Sequence, residues 1–102
     1  MRVLHLAPGV QATAGSASGV IAIPDDSSGV KAKLVYISVL TASEAVSLRA
    51  VPDGLSTVTS ANGVIVIDST PIILWVGGSS HIAHIRARSN NCVFNITPVE
   101  NY

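Results

Sequence analysis

Short runs of valine and isoleucine, cut about every 8–12 residues by Gly, Pro, Asp, Asn and Ser, constrain this chain more than any other feature. β-Branched side chains lose rotamer freedom in a helix and pack well on a pleated surface. Long helix formers are scarce, and no window sustains apolar residues at i, i+3, i+4 and i+7 between caps. The chain reads as all-β.

The first clear strand is Gly19-Val20-Ile21-Ala22-Ile23, closed by Pro24 and the turn cluster Asp25-Asp26-Ser27-Ser28-Gly29. Lys31 to Leu40 is the longest. Lys33, Val35, Ile37 and Val39 share one of its faces, and Ala32, Leu34, Tyr36, Ser38 and Leu40 the other. Both faces are largely apolar, which predicts a central strand covered on both sides. Ala45 to Val51 alternates as a half-buried strand, with Val46, Leu48 and Ala50 opposite Ser47 and Arg49. Pro52-Asp53-Gly54 is a turn, Leu55 to Thr59 a weak strand, and Ala61-Asn62-Gly63 a second turn. Val64–Ile67 and Ile72–Val76 are short apolar strands, His81–Arg88 alternates, and Cys92–Thr97 is the last strand, ended by Pro98. About eight short strands at this spacing suit an antiparallel β-sandwich of jelly-roll type.

The N-terminal segment differs. Residues 1–18 combine a possible strand or extended arm, Met1 to Leu6, with a small-residue stretch, Ala12 to Ser18, of flexible-connector composition. Residues 19–102 form one sandwich domain, because 102 residues leave no room for a second core. The opening residues lack the apolar run of a secretory signal, and no stretch nears the roughly 20 apolar residues that cross a bilayer. The expectation is production in the cytoplasm of a host, which the lone Cys92 also fits.

Charged residues make up only 12% of the chain against roughly 25% in ordinary domains, and its formal net charge is zero. Little repulsion opposes association. The composition leans toward a protein that works packed against partners.

Chemistry is sparse. His81 and His84, three apart on a strand, point to opposite faces and do not share a metal, and no Cys, Asp or Glu cluster completes a site beside them or His5. Asp25, Asp26, Asp53 and Asp68 fall in turns, where Asp bonds local backbone. The Asp25-Asp26 pair lacks calcium-loop spacing. The serines include no Gly-x-Ser-x-Gly elbow. Cys92 reads as a buried, inert thiol, Gly77-Gly78 lacks the Lys of a phosphate loop, and Asn95-Ile96-Thr97 is a chance sequon inside a strand. No catalytic residue, cofactor or metal is expected.

Two basic pairs, Lys31 with Lys33 and Arg86 with Arg88, each share a strand face. A nucleic-acid binder usually shows a basic excess and stacking aromatics. This chain has neither, with Tyr36, Trp75, Phe94 and Tyr102 its only aromatics. The two pairs read as a solvated sheet face or as a polar interface rim, where Arg is enriched. Trp75, set among Ile72, Ile73, Leu74 and Val76, is expected to anchor the core, with an interface role as the alternative.

The second half carries a resemblance. Val51-Pro52-Asp53-Gly54, Ala61-Asn62-Gly63-Val64-Ile65-Val66, the run from Pro71 through Trp75-Val76-Gly77-Gly78-Ser79-Ser80-His81-Ile82-Ala83-His84-Ile85, and Val93-Phe94-Asn95-Ile96-Thr97-Pro98-Val99-Glu100-Asn101 follow one another in an order that resembles small virion proteins of tailed bacteriophages. The likeness covers roughly Lys31 to Asn101 and is a pattern of strands and turns. It implies a capsid cement or decoration protein, a homodimer or homotrimer that bridges capsomers on the outer shell. The major capsid protein would be its partner, with no membrane and no sequence-specific nucleic acid. The candidate interface residues are Arg2, Leu4, Lys31, Lys33, Arg49, Arg86, Arg88 and Tyr102. Competing readings are a head–tail connector, tail or fibre component, and a small carbohydrate-binding module. A small hydrolase has the least support.

Overall fold

The computed structural model describes residue 6 and residues 8–52, 57–88 and 90–99. Eight antiparallel strands form two sheets: β1 (Val10–Ala14), β2 (Gly19–Ala22), β3 (Leu34–Val39), β4 (Ala45–Val51), β5 (Val64–Ile67), β6 (Ile72–Trp75), β7 (His81–Arg86) and β8 (Cys92–Pro98). One sheet runs β1-β8-β3-β6 and the other β2-β7-β4-β5. β1 pairs with β8, β2 with β7, β3 with β6 and β4 with β5, so the chain is a long antiparallel ribbon folded over on itself into a sandwich.

Period-two patterning explains the packing. Val35, Ile37 and Val39 of β3 and Phe94 and Ile96 of β8 meet Val46 and Leu48 of β4 and Ile82 of β7 between the sheets, all buried. Phe94 is fully buried and sits at the centre. Leu34, Tyr36 and Ser38, on the outward face of β3, are half-buried. β3 is therefore internal to its sheet, as its composition predicts, but its outer face is not covered. It is flanked by β6 and β8, which pair with it on either side.

The connector expected over Ala12 to Ser18 is ordered differently. Ala12 and Ala14 belong to β1, opposite Phe94 and Cys92. Small side chains suggest a linker by composition, yet here Ala14 is fully buried and Ala12 packs against the core. Gly9 and Val10 lead into the strand, and Leu6 makes a bridge with Val99. The remainder of Met1 to Leu6 lies outside the described residues.

The weak strand expected over Leu55 to Thr59 is not one among its described residues. Residues 57–59 run as a loop over the outer face of the second sheet. Val58 is buried there with Val51 and Ala83. Its amide donates to Ser18 Oγ at 3.1 Å, and Ser47 Oγ donates to the Thr59 carbonyl at 3.1 Å. Ser47 is thereby fully buried, although alternation alone would leave it in solvent. Gly63 closes the loop: a Cβ there would stand 2.7 Å from Val58 Cγ2.

Candidate interaction surface

The connections sort the loops to two ends of the sandwich. Residues 15–18, 40–44, 68–71, 87–88 and 90–91 lie at one end, and residues 23–33 and 76–80 at the other. The expected basic interface does not form a single patch. Lys31 and Lys33 are exposed, but they precede β3 and sit at the second end, where the Lys33 carbonyl accepts from Val76 and Gly77. They are not strand neighbours, because residues 23–33 form a loop tied by Asp26 Oδ1, which accepts from the amides of Ser28 and Val30 at 2.9 Å each. Arg49 is exposed on the outer face of β4, its guanidinium on the Thr57 carbonyl. Arg86 ends β7 and is half-buried, while Arg88 lies beyond the strand and donates to the Ser43 carbonyl at 2.9 Å. Arg2, Leu4 and Tyr102 lie outside the described residues.

The first end is a network of local bonds. Ser43 holds a positive φ of 63°. Its amide donates to Asp68 Oδ2 at 2.8 Å. Glu44 is buried and accepts from the Asn90 amide at 2.9 Å. Cys92 is buried beside this network. Burial pushes its thiol above the ordinary value, and the charges of Glu44 and Asp68 add to the shift. A thiol held protonated in this way is a poor nucleophile.

The histidines occupy opposite faces of β7. His84 points between the sheets, with its ring edge-on to Phe94 at 5.2 Å and its Nδ1 without a hydrogen-bond partner among the described residues. Burial lowers its pKa. His81 points outward, with Nδ1 at 2.8 Å from Ser80 Oγ. That serine donates to the Pro52 carbonyl. Its proton is committed to the backbone, so His81 does not activate it as a base would activate a nucleophile. No group of three or more His, Cys, Asp or Glu is placed to hold a metal among the described residues.

Four of the exposed large apolar side chains lie on β5 and β6. Trp75, expected in the core, is 64% exposed. Parity decides it: Ile72 and Leu74 face the core, so Ile73 and Trp75 face out. β6 is moreover an edge strand, with a strand neighbour on one side only among the described residues. The indole lies against Gly77, where a Cβ would approach Nε1 to 3.2 Å. Across the turn at residues 68–71, β5 is the edge of the other sheet, and it exposes Val64 and Ile65 by 45% and 51%. One side of the sandwich thus carries two edge strands, with Val64, Ile65, Ile73 and Trp75 exposed and no charged residue in either strand. The sequence signal for this side was the five-residue apolar run Ile72–Val76 bracketed by Pro71 and Gly77-Gly78, since Pro beside a strand favours an edge.

Comparison with family models, with curated proteins and with solved structures found no match for this chain.

Proposed function

We propose that the chain is a non-enzymatic structural protein of a phage virion, which binds the outer surface of the capsid and bridges neighbouring capsomers to stabilise the head. The observation that carries this reading is the open apolar side built by β5 and β6 on a neutral, weakly charged sandwich. Exposed apolar edge strands without charged side chains favour pairing with a partner. The strand pairing of first with last, second with seventh and inward to the β4–β5 hairpin is read as a jelly roll. A rigid scaffold of this kind holds several weak contacts at fixed spacing, and simultaneous contacts multiply affinity. Lys31 and Lys33 at one end and Arg88 at the other would then meet polar groups on separate shell subunits.

Counting copies of this chain per purified particle, by quantitative mass spectrometry against the major capsid protein, tests the proposal. A count commensurate with the shell lattice supports cementing. A dozen or fewer moves the chain to the connector, tail or fibre, and absence from particles removes it from the virion.

The exposure of Trp75 favours a second reading, a small carbohydrate-binding module, because an outward indole is a stacking platform for a sugar ring. Loss of glycan binding in a folded Trp75→Ala variant would support the module. Unchanged particle binding in that variant would separate the two readings.

A further inference from the structure

We infer that the free edge of β6 is the contact between two copies of this chain, paired antiparallel about a two-fold axis at Leu74. The inference deepens the reading of the chain as an assembling protein and names the partner of that apolar side as a second copy.

The backbone geometry points to it. In an antiparallel pair, alternate residues exchange N–H···O bonds with the neighbour and the rest direct those groups away. β6 pairs with β3 in the register Ile72↔Ile37, Leu74↔Val35 and Trp75↔Leu34. The Val76 amide donates to the Lys33 carbonyl at 2.7 Å, which continues that register and fixes its phase. Val76, Leu74 and Ile72 therefore bond toward β3. The N–H and C=O groups of Ile73 and Trp75 point to the open edge, where no described residue pairs with them.

Two outward-bonding residues separated by one inward-bonding residue make a self-complementary unit. Ile73 of one copy matches Trp75 of the other, and the same contact recurs across the axis, as an isologous interface requires. Both side chains lie on the outer face of the sheet, so each pair sets an aromatic against a β-branched side chain, a favourable cross-strand combination. The two four-stranded sheets would join into one continuous sheet. On the other layer, Val64 and Ile65 of the two β5 edges approach the same seam.

Charge argues for a second copy over a foreign strand. Neither β5 nor β6 contains a charged side chain, and the chain is neutral, so like meets like without repulsion. Asp68, in the turn between them, already accepts from the Ser43 amide, and Lys33 stands opposite Val76 just past the end of β6. Natural edges that must stay unpaired are usually guarded by Lys, a bulge, an inward charge, Pro or short length; of these β6 has its four-residue length and Pro71 just before it, and no Lys or inward charge within the strand.

Sedimentation equilibrium of the isolated chain across a concentration series tests the inference, with Ile73→Lys and Trp75→Lys as variants. The wild type is expected at twice the chain mass and both variants at the chain mass, with the wild-type circular dichroism spectrum kept because both positions are exposed. Register is read by cross-linking. Paired residues of this type stand about 5.5 Å apart at Cα, within disulfide reach. An oxidised mixture of Ile73→Cys and Trp75→Cys should therefore cross-link, and either variant alone should not. A monomeric wild type, or a dimer that both lysine variants leave intact, overturns the inference. A dimer from a chain absent from particles would overturn the virion reading alone, and a monomer found in particles would overturn the dimer alone.

Discussion

Replacing His84 by Leu isolates the consequence of burying an imidazole in the core. The ring is 7% exposed, stands edge-on to Phe94, and leaves Nδ1 unpartnered among the described residues. Burial lowers its folded pKa below the ordinary value of about 6.5. Above that value the residue is neutral in both folded and unfolded chains and contributes no pH dependence. As pH falls through it, the unfolded chain takes up a proton that the folded chain resists, so stability declines. The slope reaches at most about 1.4 kcal/mol per pH unit for one group and ends once pH passes the lowered folded pKa. His84→Leu removes this slope. At about pH 8 the variant loses an aromatic contact worth roughly 0.5–1.5 kcal/mol and sheds an unsatisfied nitrogen worth roughly 1–3 kcal/mol. It should be as stable as the wild type or up to about 2 kcal/mol more so. Urea midpoints at several pH values between about 8 and 5.5 measure the difference. Circular dichroism is the suitable probe, because Trp75 is exposed in the folded chain and reports burial poorly. Parallel pH profiles for the two proteins would refute the argument that the imidazole is desolvated.

Phe94→Ala should cost about 3–5 kcal/mol, read as a loss of urea midpoint, since the ring is fully buried at the centre of both sheets. Gly63→Ala should cost about 1–3 kcal/mol through collision with Val58 and Ser47, and limited proteolysis should then cut residues 57–63 faster than in the wild type. Ser43→Gly should stabilise by up to about 1 kcal/mol in thermal unfolding, because the position holds a positive φ that glycine adopts without steric cost. Cys92 should resist alkylation in the folded chain and react fully once the chain is unfolded in urea, as its burial and raised pKa require.

Local pattern was enough to mark most strands. Ala45–Val51 and Val64–Ile67 have the same bounds in sequence and structure, and Ile72–Val76, His81–Arg88 and Cys92–Thr97 differ from β6, β7 and β8 by one or two residues. Alternation is a property of neighbouring residues along one chain, so it survives without knowledge of the partner. The same parity separates His81 from His84. Pairing, edges and cover are not local. Ala12 and Ala14 become strand because Phe94 and Cys92 lie opposite them. Ser47 is buried because a loop eleven or more positions further on folds across it. Trp75 is exposed because it lies on the outward face of β6, which has a neighbour on one side only among the described residues. The chemistry of each residue was legible in the sequence, but its environment was set by contacts between residues far apart in the chain, and burial depends on that environment.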